Sequence, residues 1–231
     1  MVMDFINCSN LCRISAKEVN ILNGKAFAFL LALLLLLAGC LSPEQESPFL
    51  GKTIEGELGF NEFTLIDENG SSFNSSSLEG NVLVIGFIFT NCPDQCITVS
   101  QNMKYLRDNL NQSNEENVSF ISITVDPWRD SSSLLANYSQ SSNYSWPHLT
   151  INSLELDQLA LLEAVWTDFN IGVVLTEEQQ NTSGRDHSVN YEIVHSLDIV
   201  MVDKSGIQKV RWTEEDWISQ QVEKDLLYLL Q

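Results

Sequence analysis

Residues 81–89, Asn-Val-Leu-Val-Ile-Gly-Phe-Ile-Phe, form an uncharged apolar run rich in β-branched and aromatic side chains. The run has no alternating polar face, so it reads as a strand covered on both sides. Residues 118–126 read as a second buried strand, 197–203 as a third, and 207–212 as a fourth after the turn Lys204-Ser205-Gly206. Helical spacing separates them. Val99, Met103, Leu106 and Leu110 recur every three or four residues, and residues 131–140 and 153–169 read as two more helices, the latter with Ser153 as N-cap. A last helix runs from a Thr213 cap to Leu230, with Glu214, Glu215 and Asp216 where the helix dipole favours acids. Asn69-Gly70 between apolar segments marks an early hairpin. Strands alternating with helices imply an α/β domain with helices on both faces of the sheet.

The first strand runs into Thr90-Asn91-Cys92-Pro93-Asp94-Gln95-Cys96. What these two cysteines can do depends on the compartment. Residues 26–38 are an apolar run behind Lys25. The run is short for a spanning helix, which needs roughly 20 apolar residues, and it suits a signal-peptide core. It ends in Leu37-Ala38-Gly39-Cys40, small residues before a cysteine, and so resembles a bacterial lipobox in which Cys40 becomes the lipidated first residue. An uncleaved anchor helix is the alternative. Both readings place residues 41 onward on the outer face of the cytoplasmic membrane. The expected organisation is therefore a signal peptide over 1–39, a lipidated cysteine and polar tether over 40–55, and one domain over 56–231.

Charge agrees with export. The formal net charge is −19, and without the leader's three basic and two acidic residues 9 basic and 29 acidic remain. Such a surface repels nucleic acid, and no nucleic-acid partner is expected. Two of the five cysteines, Cys8 and Cys12, lie in the leader and receive no function; with Cys40 lipidated, Cys92 and Cys96 remain. A disulfide closing so short a loop restricts the unfolded chain little, which favours chemistry over a staple.

Cys92 lies where a buried strand gives way to a helix, and a helix N-terminus lowers a thiolate pKa. Two thiolates one helical turn apart can converge on a soft ion such as Cu(I) or zinc. A third ligand is then needed, and three histidines are available. His195 stands at the mouth of the third strand, a fixed place beside the neighbouring strand end. His148, in Trp-Pro-His, and His187, among Ser, Gly, Arg and Asp, read as surface or hydrogen-bonded residues.

Residues 60–231 resemble the SCO/SenC family of thioredoxin-fold copper-binding proteins that act in cytochrome c oxidase assembly. Thr90, Cys92, Pro93, Asp94 and Cys96 match its Thr-x-Cys-Pro-x-x-Cys site, "SITVDPWRDSSSLLANY" its strand–loop–helix, and "HSLDIVMVDKSG" its histidine, strand and turn, with Gly206 eleven residues after His195. The resemblance implies a thioredoxin-like fold with an N-terminal hairpin extension. It also implies copper held by Cys92, Cys96 and His195, and a copper-bearing subunit of cytochrome c oxidase as partner. The family usually has Asp before the histidine, where this chain has Val194, and often proline after the second cysteine, where it has Ile97. An Asp-His-Ser at Asp186–Ser188 has no suitable strand and turn after it, which leaves His187 a decoy.

Three functions fit these residues. One is a copper metallochaperone, membrane-tethered through a lipid anchor, which passes its ion to the dinuclear copper site of the oxidase by ligand exchange. The alternative is a thiol–disulfide oxidoreductase on the same fold, with Cys92 attacking and Cys96 resolving. Such proteins usually place two residues, not three, between the cysteines. A copper buffer or sensor needs the same three ligands as a chaperone. A peroxidase lacks support, because the Pro and Thr of Pro-x-x-x-Thr-x-x-Cys are replaced by Ile85 and Phe89.

Overall fold

The structure is a computed structural model. It describes residues 47–91, 95–177, 191–196, 198–213 and 215–231. The leader, Cys40 and the first part of the tether lie outside the described residues. Among the described residues no helix is long and apolar enough to cross a membrane.

The central element is β4 (Val82–Ile88), every residue of which is buried, as its unbroken apolar sequence requires. It pairs in parallel with β5 (Val118–Thr124) on one side and antiparallel with β9 (Asp198–Val202) on the other. Outside these lie β6 (His148–Leu149), parallel to β5, and β10 (Gln208–Thr213), antiparallel to β9. With β1 (Lys52–Thr53) on β10, the six-stranded order is β1-β10-β9-β4-β5-β6. The strand β10 alternates buried and half-buried residues, the mark of a sheet with one well-covered face near its edge.

Helices cover both faces, and adjacent residues of β4 show it. A methyl group on Gly86 would lie 2.5 Å from Sδ of Met103 and 3.1 Å from Val99, both on α1 (Gln95–Asn109). The next residue, Phe87, points the other way and packs at 5.7 Å against Phe169, just past α3 (Leu156–Asp168). Between these helices in sequence comes α2 (Ser132–Ser142), capped by Ser131, whose Oγ accepts from the amide of Leu134.

The expected early hairpin is β2 (Thr64–Ile66) with β3 (Ser72–Asn74). Its turn is tied by Asp67, whose Oδ1 accepts from the amides of Asn69 and Ser71. Gly70 takes φ +76°, a conformation that favours glycine.

Residues 47–53, assigned to the tether, belong to the domain. The Asp225 carboxylate accepts from the amides of Leu50 and Gly51, Phe49 packs edge-on at 5.4 Å against Tyr228, and β1 joins the sheet. Gly51 leaves no room for a Cβ, which would lie 2.5 Å from the Trp212 ring. The helix expected from Ser153 begins at Leu156, with Glu155 at the cap position and no side-chain cap. The last helix, α4 (Ser219–Leu229), starts well after Thr213, which ends β10 and donates to Asp216. The sequence also hid a second hairpin, β7 (Val173–Glu177) with β8 (Tyr191–His195). His195 therefore ends β8 instead of opening the strand that follows.

Candidate metal centre

The strand β4 delivers the chain to Phe89, Thr90 and Asn91. Cys92, Pro93 and Asp94 lie outside the described residues. Cys96 is the second residue of α1.

The segment before Cys92 is anchored by a carboxylate. Asp130 accepts from the Thr90 amide at 3.2 Å to each oxygen, from Thr90 Oγ1 at 2.5 Å and from Thr124 Oγ1 at 2.6 Å. It is fully buried. Burial pushes its carboxyl up to about 6, with the Asp126 charge adding to the rise, while the Thr124 and Thr90 hydrogen bonds oppose it.

His195 is half-buried at the end of β8. Its ring meets Phe89 edge-on at 5.5 Å, beside the residues that lead into the dithiol motif. Its Nδ1 lies 2.9 Å from the Ser196 carbonyl oxygen. A carbonyl only accepts, so Nδ1 carries the proton and the ring lone pair is on Nε2. Burial lowers the His195 pKa, with the Ser196 carbonyl and the Asp198 charge opposing, so the ring favours the neutral form a metal ligand requires. Val194 points outward at 59% exposure and lies opposite Val174 of β7. Consecutive strand residues face opposite ways, so the contact that orients the His195 ring comes from the backbone carbonyl of Ser196.

The other histidines differ. His148 is fully buried, its Nδ1 2.8 Å from the Trp146 carbonyl and its ring stacked on Trp146 at 5.6 Å. Burial lowers its pKa. It is a hydrogen-bonded core residue, and the surface alternative is excluded. His187 and Asp186 lie outside the described residues.

Sequence reasoning passed over Asp126, Arg129, Asp130 and Tyr191, which the fold gathers around the segments bearing Thr90 and His195. The available signal was the density of charge in Val-Asp-Pro-Trp-Arg-Asp directly after a buried strand. Charges are seldom buried without a partner to hold.

The SCO1/SenC family model matches residues 52–227. A SCO2-like protein of Rickettsia typhi is 33% identical over 148 residues, 62% of this chain and 64% of that protein. The chain thus spans less than two thirds of the length of this curated relative. Among solved structures, Bradyrhizobium japonicum ScoI with copper bound matches with TM-score 0.57 and 23% identity, covering 74% of this chain and 99% of that one. BsSco, described as a member of the Sco family of cytochrome c oxidase assembly proteins with a disulfide switch, matches with TM-score 0.57 and 21% identity over 81% and 98%. These likenesses show the thioredoxin-like fold. The family match extends over most of the described domain, from β1 into α4, and the chain belongs to the SCO1/SenC family.

Proposed function

We propose that this chain is a copper metallochaperone. It holds one copper ion through the thiolates of Cys92 and Cys96 and Nε2 of His195, and delivers it to the dinuclear copper site of cytochrome c oxidase. The observation that carries this reading is the position of His195, its ring against Phe89 and its Nδ1 committed to the Ser196 carbonyl. Two thiolates and an imidazole are a soft donor set suited to Cu(I). Three donors leave a coordination position for an acceptor thiolate, which enters as one of the original bonds leaves, with no change in oxidation state. Copper is cargo in this scheme. The copper-bound relative and the assembly role ascribed to BsSco support the same reading.

The test is direct. The soluble domain, cut after Cys40, reduced and offered Cu(I), is expected to bind one copper per molecule, measured by metal analysis after desalting. Zinc alone, or two or more tightly held coppers, refutes the assignment.

The proposal also places the chain on the outer face of the cytoplasmic membrane, held by lipid on Cys40. Cys40→Ser is expected to move the protein from the membrane to the soluble fraction without altering copper affinity. Unchanged membrane attachment would assign residues 26–38 to an uncleaved anchor helix instead.

A further inference from the structure

We propose that the loop of residues 126–130 is a two-ended clamp that fixes the spacing between the Cys92 approach and the His195 strand, with Asp130 at one end and Arg129 and Asp126 at the other. This inference rests on His195 being a copper ligand, as proposed above.

The loop is stiffened from within. The amides of Arg129 and Asp130 both donate to the Asp126 carbonyl, at 3.2 and 2.8 Å, and the Asp126 amide donates to Thr124 Oγ1 at 2.9 Å. Thr150 Oγ1 donates to the Asp130 carbonyl at 2.9 Å, tying the loop to the chain just after β6. Asp126 and Asp130 are fully buried.

At one end the Asp130 carboxylate holds the amide and hydroxyl of Thr90, two residues before Cys92. At the other end Asp126 accepts from the Tyr191 hydroxyl and pairs with Arg129 Nε. Arg129 also donates to the Tyr191 carbonyl at 3.4 Å. Its guanidinium carbon lies 4.1 Å from the Tyr191 ring centre and 5.8 Å from that of Phe89. Phe89 in turn meets the His195 ring. One cation therefore touches both the strand that ends in His195 and the residue against which His195 packs. A planar guanidinium stacks on rings and donates as a fork; an ammonium cannot reproduce both contacts.

A soft-metal site needs its donors held within about 0.5 Å. The two donor segments come from β4–α1 and from a hairpin that, among the described residues, shares no ladder with the main sheet and reaches β4 only through β9, which begins three residues after His195. The loop adds a side-chain connection to that backbone one, through Arg129, Asp126 and Asp130. Groups one shell out from a ligand typically alter metal affinity by about 10- to 100-fold.

The experiment is a double-mutant cycle on the full reduced chain, with Cu(I) affinity read by competition against a chromophoric chelator. Arg129→Met is expected to weaken Cu(I) binding about 10-fold or more, and the loss is expected to vanish in a His195→Ala background. The nitrogen coupling in the Cu(II) spectrum should change in Arg129→Met, and Arg129→Lys should not restore it. Tyr191→Phe, which removes one hydroxyl, should show a smaller loss of the same pattern and decides the matter alone if Arg129→Met does not fold. The clamp is refuted if both variants bind Cu(I) as tightly as the wild type while His195→Ala does not. It is equally refuted if their losses are the same with and without His195. If His195→Ala itself binds normally, the copper-site reading fails and the clamp fails with it.

Discussion

His195→Ala is expected to weaken Cu(I) binding by the reduced chain by at least about 100-fold and to remove the nitrogen coupling from the Cu(II) spectrum. The size follows from comparison. Loss of an outer contact to a ligand typically costs about 10- to 100-fold, and loss of the ligand itself should exceed that. The ring belongs to a defined strand end, its tautomer is set by the Ser196 carbonyl, and Phe89 fixes one of its edges. His148→Ala is the matched control. It should lower stability, because it empties a fully buried aromatic stack, and leave copper affinity near the wild-type value. If His187→Ala proves as damaging as His195→Ala, the segment 178–190 supplies a ligand or its partner. If His195→Ala binds copper normally and Cys92→Ser abolishes a thiol reductase activity, the oxidoreductase reading replaces the chaperone.

Asp130 is expected to make the fold less stable as pH rises from about 4 to about 6. Its folded-state pKa is about 6 against an ordinary 3.8. Between those values the folded chain keeps a proton that the unfolded chain releases. The stability Asp130 contributes is therefore complete below the lower value and lost as pH passes the upper one, by about 3 kcal/mol in all. Asp130→Asn should flatten that part of the profile, since an amide does not titrate and can still meet the Thr90 and Thr124 groups. Asp130→Ala should instead cost about 2–4 kcal/mol at neutral pH, because it leaves buried donors unsatisfied and opens a cavity. Urea unfolding of the full chain between pH 4 and pH 7 separates these outcomes. Parallel profiles for wild type and Asp130→Asn would show that Asp130 is not the titrating group.

The division between what sequence and structure each determined follows the range of the forces involved. Residues 81–89 specified β4 because their side chains demand cover on both faces, and Asn69-Gly70 specified the first hairpin because its turn is local. The helix containing Val99, Met103 and Leu106 was legible for the same reason: a period of 3.6 is written in neighbours. The caps at Ser153 and Thr213 misled, because a capping residue near an apolar run is only a local option, and β10 claimed Thr213 for its ladder with Asp198. Pairing of β7 with β8 was hidden by the long polar segment between them, since residues 178–190 far exceed the roughly two to five residues of an ordinary hairpin loop. That pairing decides where His195 stands. The sequence alone determined which residue types are available to hold a soft ion: two cysteines after a buried strand and one histidine matched to a family pattern. Only the tertiary structure decided that His195 meets Phe89, and that the loop of Asp126, Arg129 and Asp130 touches both donor segments. Those contacts join residues 40 to 106 positions apart in the chain, and only packing of the folded sheet and hairpin brings such residues within reach.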